Sequence, residues 1–444
     1  MIKKRISNTA LIALSFLGII LLGAVVLTLP VASRAGTWTP FLDALFTATS
    51  ATCVTGLIVV DTCVHWSVFG QLVILAMIQI GGLGLMTMMA SLALLMKRRI
   101  GLKGRQLVLQ SSGNLQYGDL TNVLKHILVG TALVESVGAV LLALRFCPQM
   151  GFVRGVYNAV FHSISAFCNA GFDLMGKYQP FGSIAGYADD PLVMLTLSAL
   201  IIIGGIGFIV WEDVLNHGVH IQKYCLHSKI VLTVTAGLLL GGTALFFVTE
   251  QQAALAQLPW TQQLLGAFFQ SVTTRTAGFD AIGQTSLSHA GRIVTVVLML
   301  IGGSPGSTAG GMKTMTVAVA VLTVSAIAKN RKDTVAFRRR IAEEQVRQAL
   351  AILAIYTTLL LGAVTVMSMW EPKGLTSIAF EAASAIATVG LSFDGSATFM
   401  PLSQGILIVL MYIGRIGGLS LVLMLAEKQP SAPLDRPQEK ILIG

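Results

Sequence analysis

The stretch that decides the fold reads Ala48-Thr49-Ser50-Ala51-Thr52-Cys53-Val54-Thr55-Gly56-Leu57. It ends in a glycine followed by a large apolar residue, and three later stretches end in the same way. They are Phe167-Cys168-Asn169-Ala170-Gly171-Phe172, Thr274-Arg275-Thr276-Ala277-Gly278-Phe279 and Ile386-Ala387-Thr388-Val389-Gly390-Leu391. The four glycines lie 115, 107 and 112 residues apart. A period of about 110 residues indicates that one unit is repeated four times along the chain.

A second glycine motif follows each stretch after 24 to 33 residues. Its four copies are Ile80-Gly81-Gly82, Ile203-Gly204-Gly205, Ile301-Gly302-Gly303 and Ile413-Gly414-Arg415. Two motifs at similar spacing in four places define the repeats better than either motif alone. We therefore place repeats at 1–100, 101–226, 227–335 and 336–428, with a cytoplasmic tail at 429–444.

The composition is that of a polytopic membrane protein. Of the 444 residues, 54% are hydrophobic and only 11% are charged, and the mean hydropathy is +0.78. These values exclude a soluble enzyme, a disordered protein and a nucleic-acid-binding domain. The cysteines and histidines form no metal-ligand or catalytic pattern, so we expect neither an enzyme nor a bound cofactor. Eight apolar runs are long enough to be membrane spans, at 11–29, 69–96, 127–144, 192–211, 230–248, 293–328, 349–369 and 405–426.

A shorter apolar segment lies between the two spans of each repeat. These segments are at 40–50, 155–165, 261–271 and 375–384. Each is about half the length of a span, so it cannot cross the bilayer as a helix. We predict four re-entrant pore helices, and hence an all-α protein of four membrane–pore-loop–membrane repeats around one central pore.

The basic residues indicate the orientation. The net charge is +10, and 21 of the 30 lysines and arginines fall on the side of the termini and the inter-repeat loops. The positive-inside rule therefore predicts cytoplasmic termini. The outer side carries acidic residues such as Asp173, Asp189, Asp190 and Asp280, which either attract cations to an entrance or are solvated loop ends. Glu135, within the third span, either pairs with a neighbouring helix or is a polar packing group.

The glycine stretches are suited to a monovalent cation. A pore helix that enters from outside points its partly negative C-terminal end at the membrane centre. The carbonyls of an extended segment after it can replace the hydration shell of an ion, and glycine permits the backbone angles that this requires. No carboxylate is present to favour a divalent ion, so K⁺ fits best. The candidate filter residues are Val54, Thr55, Gly56, Asn169, Ala170, Gly171, Thr276, Ala277, Gly278, Thr388, Val389 and Gly390.

The sixth span is interrupted by a segment rich in glycine, serine and proline that cannot sustain a helix. An ordinary loop is the alternative, but 293–301 is too short to cross alone, and we expect the other three inner spans to be continuous here. We therefore predict a broken intramembrane helix. Arg415 replaces the second glycine of the motif, and an arginine in mid-membrane costs at least about 2.5 kcal/mol on insertion scales. It is a candidate functional residue.

These motifs resemble those of the Trk/Ktr/HKT superfamily of potassium transporters over essentially the whole chain. Within that superfamily the chain is most similar to the ion-conducting membrane subunits of bacterial Ktr systems. The resemblance implies channel-like K⁺ uptake across the bacterial inner membrane. It also implies an intramembrane gate near the pore below the filter, formed by Gly302, Gly303, Ser304, Pro305, Gly306, Ser307, Thr308, Ala309, Gly310, Gly311 and Arg415.

The resemblance further implies partners. It predicts a homodimer with one pore per chain, in which the tail reaches the partner. It also predicts a cytosolic ring of nucleotide-binding subunits of the KtrA type, docked on the basic loops at 97–105 and 329–347. ATP and ADP would bind to that ring, while this chain holds only K⁺ as transported ion, with Na⁺ as a candidate activator. A symporter that couples K⁺ to Na⁺ or H⁺ is the alternative function.

Overall fold

The computed structural model describes residues 8–84 and 120–417, whose regular secondary structure is almost entirely α-helical, as the sequence predicts. The fifteen α-helices of the described residues are α1 (Asn8–Thr28), α2 (Phe41–Cys53), α3 (Thr62–His65), α4 (Val68–Leu83), α5 (Leu120–Met150), α6 (Phe152–Phe167), α7 (Pro191–Gly205), α8 (Phe208–His217), α9 (Leu226–Glu250), α10 (Trp260–Thr273), α11 (His289–Leu300), α12 (Thr314–Ala328), α13 (Glu343–Met367), α14 (Leu375–Ala387) and α15 (Pro401–Ile416). A two-residue antiparallel hairpin joins β1 (Val335–Ala336) to β2 (Arg339–Arg340).

Each repeat contains an outer helix, a pore helix and an inner helix. The outer helices are α1, α5, α9 and α13, and each packs against the pore helix of its own repeat, namely α2, α6, α10 and α14. The inner helices are α4, α7, α11 and α15. This is the predicted membrane–pore-loop–membrane unit, present four times.

The four units close into a ring. Each inner helix packs against the pore helix of the next unit, so that α4 contacts α6, α7 contacts α10 and α11 contacts α14. The last inner helix, α15, contacts the first pore helix, α2. The predicted arrangement of four repeats around one central axis is therefore confirmed.

The outer helices have the length and apolarity of membrane spans. Among the described residues, four helices qualify by length and composition: Ala10–Thr28, Leu124–Met150, Leu226–Glu250 and Glu343–Met367. No more than a third of the tested window of each is buried within the protein. Exposed leucine and valine side chains on these helices have no favourable solvent except lipid. The chain is thus a multi-pass membrane protein.

The expectation of a continuous inner span is wrong for the second repeat. In the second repeat, α7 and α8 differ in direction by 94°. The break falls at Gly207, whose φ is +94°. In the first and fourth repeats the inner helix ends at the matching glycines, Gly84 (φ +82°) and Gly417 (φ +88°). A glycine with left-handed φ ends a helix readily. In these three repeats the helix therefore ends at the glycine three residues after the first glycine of the Ile-Gly motif.

Several predictions concern residues outside the described ranges. They include the basic loop at 97–105, the boundary between the first two repeats at residue 100, and the tail at 429–444. The boundaries near 226 and 335 fall in described segments, where they remain predictions about domain organisation.

Candidate functional site

The four motif glycines, Gly56, Gly171, Gly278 and Gly390, converge on the axis; we call them the glycine ring. A Cβ added to Gly56 would lie 2.6 Å from the Ala170 carbonyl oxygen and 3.2 Å from the Gly171 Cα. A Cβ added to Gly171 would lie 2.6 Å from the Ala277 carbonyl oxygen and 3.0 Å from the Gly278 Cα. Gly278 faces Gly390, and Gly390 faces Gly56 in the same manner. The ring is therefore closed, in chain order.

The carbonyl that each glycine meets belongs to the residue before the next glycine. The four residues are Thr55, Ala170, Ala277 and Val389. Their carbonyls lie close to the ring, where a side chain on any glycine would collide with one of them. The glycines also have φ values between +68° and +97°, which L-residues with a side chain rarely adopt. Both constraints make glycine necessary here.

The backbone two residues before each glycine is strained. Val54, Asn169, Thr276 and Thr388 have left-handed φ values of 56°, 58°, 71° and 52°. For residues with a β-carbon this conformation costs roughly 1–3 kcal/mol each. Four independent stretches adopt the same costly conformation, so the surrounding structure imposes it. Strain that recurs at one place in a fold marks a functional site.

Side chains of the pore helices brace the ring in two different ways. In the first and fourth repeats, the serine hydroxyl accepts a hydrogen bond from the glycine amide, at 3.1 Å for Ser50 and 3.0 Å for Ser384. In the second repeat, Ser165 instead donates to the Phe172 carbonyl at 2.7 Å. In the third repeat the Thr273 hydroxyl donates to the Phe279 carbonyl, also at 2.7 Å.

Ser271 of the third repeat corresponds to Ser50, Ser165 and Ser384, but it has a different role. Ser271 lies seven residues before its glycine rather than six, so it points away from the ring. Its hydroxyl donates to the Leu239 carbonyl of the outer helix at 3.0 Å. The extra residue shifts the bracing role to Thr273.

Three hydroxyls in or next to the ring-forming segments have no hydrogen-bond partner among the described residues. They belong to Thr52, Thr55 and Thr388, and all three are fully buried. An unpaired buried hydroxyl is unfavourable in a folded protein. Because hydroxyl oxygens also bind monovalent cations, these groups are chemically suited to an ion pathway.

An outer cavity of about 530 Å³ opens above the glycine ring. Asp173, Asp280 and Asp394 line it together with the four glycines. Asp280 also accepts hydrogen bonds from the backbone amides of residues 282–284, so it shapes the loop as well as charging the cavity. Burial raises the pKa of Asp173 to about 6, against the opposing effect of its bond to the Met175 amide.

The other two acidic residues singled out in the sequence do not line this cavity. Asp190 caps α7 by accepting from the Leu192 and Val193 amides, and it forms an ion pair with Arg145. Asp189 is exposed. Asp189 therefore fits a solvated loop end, whereas Asp190 is a buried helix cap.

The predicted break in the sixth span is present. Residues 302–311, which we call the inner loop, separate α11 from α12 and lie directly against the ring-forming segments. A Cβ on Gly302 would lie 3.4 Å from Thr276 Cγ2, and one on Gly310 would lie 3.0 Å from Thr388 Cβ. The loop therefore meets the third and fourth stretches at their inner ends.

Backbone hydrogen bonds attach the inner loop to two other repeats. The Ser304 amide donates to the Gly205 carbonyl at 3.0 Å, and the Gly306 carbonyl accepts from the Phe208 amide at 2.8 Å. On the other side, the Gly311 amide donates to the Gly414 carbonyl at 3.1 Å. The loop thus spans from the second repeat to the fourth, underneath the ring.

Arg415 also binds the inner loop. Its guanidinium donates to the Thr308 carbonyl at 2.5 Å, to the Gly82 carbonyl at 3.2 Å and to the Gly81 carbonyl. These acceptors belong to the third and first repeats. The arginine of the fourth repeat therefore joins three repeats through backbone carbonyls, at the level predicted from the motif.

The second glycine motif has a packing explanation. In the first, second and fourth repeats, its first glycine lies against a carbonyl near the C-terminal end of the pore helix. The pairs are Gly81 with Thr52, Gly204 with Phe167, and Gly414 with Ile386. A side chain at any of these glycines would push the two helices apart. The recurrence of both motifs in all four repeats was the available signal.

Three other contacts were left open or missed. Glu135 accepts hydrogen bonds from the Gln79 amide nitrogen at 3.1 and 3.3 Å, so it pairs with a neighbouring helix. Thr308 of the inner loop donates its hydroxyl to the Phe167 carbonyl at 3.0 Å. Lys313, at the end of the loop, donates to the Ala309 carbonyl at 2.6 Å.

Comparisons with known proteins agree with this geometry. The family model described as "TrkH: Cation transport protein" matches residues 21–436. The potassium/sodium uptake protein NtpJ of Enterococcus hirae is 41% identical, with 100% of this chain and 98% of that protein covered. The Ktr system potassium uptake protein B of Vibrio alginolyticus is 40% identical, with 100% and 96% covered.

Two further matches come from another bacterium and from a crystal structure. The Ktr system potassium uptake protein B of Bacillus subtilis is 36% identical, with 96% of this chain and 95% of that protein covered. The crystal structure of the potassium transporter TrkH from Vibrio parahaemolyticus superposes with a TM-score of 0.70 over 96% of this chain and 86% of that chain. Its sequence identity is 18%, so this likeness shows the fold alone.

Proposed function

Because the chain belongs to the TrkH family of cation transport proteins, we propose that it is the K⁺-conducting membrane subunit of a regulated, Ktr-type uptake system. The closed glycine ring carries this proposal. Four strained backbone segments bring four carbonyls together at the inner ends of four pore helices. The Ktr and NtpJ relatives, which are named as potassium uptake proteins, support K⁺ as the ion.

In this proposal the ring-forming segments act as the selectivity filter. A K⁺ ion from the outer cavity exchanges its water for backbone carbonyls, which are fixed in place and need no reorganisation. The four pore-helix C-termini add a negative potential at the same point. No aspartate or glutamate lies within the four segments, so a divalent ion would lack a charge match.

The inner loop and Arg415 act as the gate. The loop lies under the ring, and the guanidinium places a positive charge beneath the exit of the filter. Both features oppose the passage of a cation. Opening requires the loop to move away from its bonds to the second and fourth repeats, since these bonds hold it across the axis.

The regulated state involves other chains. We propose a homodimer in the bacterial inner membrane with cytoplasmic termini, and a cytosolic nucleotide-binding ring of the KtrA type. The described part of the second basic loop supports a docking role, because the hairpin turn presents Phe337 and Arg338 to solvent, next to the exposed Arg339 and Arg340. ATP on the ring would favour conduction and ADP would oppose it.

Flux into proteoliposomes tests the proposal. The purified chain is reconstituted into K⁺-filled vesicles, either alone or with the candidate ring, and ATP or ADP is added. The uptake of a rubidium tracer into the vesicles is then measured. We expect K⁺-selective uptake that depends on ring and nucleotide. Absence of uptake under every condition would overturn the proposed function. Full nucleotide sensitivity of the chain alone would overturn the proposal that a partner ring binds the nucleotide.

A coupled K⁺ symporter is the second candidate. The name of the NtpJ relative, which includes sodium, favours it. The two functions differ in the voltage at which net K⁺ flux is zero. A channel-like subunit reverses at the K⁺ equilibrium potential, whereas a symporter shifts that voltage when a Na⁺ or H⁺ gradient is imposed.

A further inference from the structure

The carbonyls of the inner loop are bound by side-chain cations. Three consecutive carbonyls, those of Thr308, Ala309 and Gly310, accept hydrogen bonds from charged side chains. Arg415 binds the first at 2.5 Å, and Lys313 binds the other two at 2.6 and 3.4 Å. The role of Arg415 was anticipated from its position, but Lys313 has no role in the function proposed above.

The position of Lys313 is not explained by helix stability. Lys313 is the N-cap residue of α12, where the positive end of the helix dipole disfavours a basic side chain. No carboxylate forms an ion pair with it within residues 8–84 and 120–417. Its described hydrogen-bond partners are the two loop carbonyls. The ammonium group is therefore placed where only carbonyl oxygens satisfy it.

These carbonyls lie immediately below the filter. Gly310 packs so closely on the fourth ring-forming segment that an added Cβ would lie 3.0 Å from Thr388 Cβ and 3.1 Å from its Cγ2. Backbone carbonyls are the ligands that bind K⁺ in pores. An ammonium group, like K⁺, carries one positive charge and is bound by such oxygens, so the two cations compete for the same ligands.

We propose that the Lys313 ammonium is a tethered substitute for K⁺, which occupies the loop carbonyls below the filter until a permeating ion displaces it. This inference rests on the proposed function and adds a residue that sets the apparent K⁺ affinity. It predicts that K⁺ entering the loop region must first release the lysine, so the lysine raises the K⁺ concentration needed for half-maximal flux.

The test is K⁺ flux through the full chain in proteoliposomes over a range of K⁺ concentrations. Lys313→Met keeps the length of the side chain but removes the charge, and we expect the half-saturating K⁺ concentration to fall about tenfold. Lys313→Arg keeps the charge and should stay within about twofold of wild type. Lys223→Met, at an exposed lysine outside both basic loops, is the matched control and should not change the value.

Chemical rescue separates competition from a purely structural role. In Lys313→Ala, added methylammonium should occupy the vacated carbonyls and raise the half-saturating K⁺ concentration again, which a structural role does not predict. Should Lys313→Met not fold, Lys313→Gln is used in its place. An unchanged half-saturating concentration in the neutral variants, or no effect of methylammonium, would overturn this inference alone. Absence of K⁺ flux in wild type would instead overturn the proposed function.

Discussion

The glycine ring and the inner loop lie against each other, yet they are built on opposite principles. All four repeats contribute equivalent backbone to the ring, with the same left-handed angles at matching positions. The inner loop comes from the third repeat alone, and its arginine partner comes from the fourth. The ring is nearly symmetric, whereas the structure below it is not.

The difference separates two physical requirements. Binding a spherical ion demands equal ligands on all sides, so any repeat that deviates weakens the whole site. Obstructing a path demands only one element that crosses it, and a single mobile segment costs less to move than four. The predictions below test this division, beginning with the largest expected effect.

A side chain in the ring should have the largest effect. Gly56→Ser forces a β-carbon into a backbone with φ +92° and against the Ala170 carbonyl. The combined strain and collision should lower K⁺ affinity at least about tenfold, corresponding to about 1.4 kcal/mol, with Na⁺ competing better. Competition between the two ions in tracer uptake measures it. Gly237→Ala, at a helical glycine with open space around it, is the control, and equal K⁺ affinity in both variants would refute the filter assignment.

Loss of the arginine in the gate should raise flux. Arg415→Ala removes the bonds to the Thr308 and Gly81 carbonyls and a positive charge below the filter. We expect an increase of about fivefold in K⁺ flux at saturating K⁺, with selectivity retained, since bonds to charged groups are the stronger class. Partial deletion of the inner loop should act in the same direction. Arg34→Ala, at an exposed arginine outside the gate and outside both basic loops, should leave flux unchanged.

If the Arg415→Ala and loop-deletion proteins are both inserted normally and conduct no faster than wild type, the obstruction model is wrong. A gain in flux that came with loss of K⁺ selectivity would also contradict it. In that case ring and loop would form one functional unit rather than two.

Removing one brace of the ring should have a smaller effect on selectivity. Ser384→Ala leaves the Gly390 amide without its partner, at a cost of about 1–3 kcal/mol for a buried donor. We expect K⁺ over Na⁺ selectivity to fall about threefold while the maximal flux is retained. Ser368→Ala, which loses a bond on the exposed face of α13, serves as the control. Equal selectivity in the two variants would show that the brace is dispensable.

The smallest effect concerns pH. The pKa of Asp173 is raised to about 6 by burial, so the carboxyl is charged above that pH and neutral below it. Lowering the pH from about 7.5 to about 5.5 should therefore remove negative charge from the outer cavity and raise the half-saturating K⁺ concentration about twofold. Asp280 and Asp394 face the same cavity. Wild type is therefore compared at each pH with the aspartate variants described next, which separates the effect of Asp173 from that of the other two carboxyl groups.

Asp173→Asn should abolish this change between the two pH values, and Asp189→Asn, at an exposed residue that does not line the cavity, should retain it. A pH response that persists in Asp173→Asn would assign it to another group.

The fold was predictable because its units repeat. One glycine motif is weak by itself, but four copies near Gly56, Gly171, Gly278 and Gly390 gave the number of units, and the short segments before them gave the pore helices. Arg415 was found because the other three repeats have glycine in its place. Each inference used a comparison between repeats rather than the chemistry of a single residue.

Features that depend on small local differences were not predictable. The bend at Gly207 was missed because apolar residues continue on both sides of it, and hydropathy does not register a backbone angle. In the third repeat the brace is Thr273 rather than Ser271, because one extra residue separates Ser271 from its glycine. The partners of Lys313 depend on a loop conformation that no periodic pattern encodes.

The presence of Arg415 in only one unit has a consequence for how such a pore can change over time. In an assembly of four identical subunits, one codon change would introduce four arginines around the axis, and their mutual repulsion would be severe. In a single chain with four linked units, a mutation alters one quarter of the circumference and leaves three quarters as they were. A chain of four linked units therefore allows intermediate degrees of obstruction to arise by changing one position at a time.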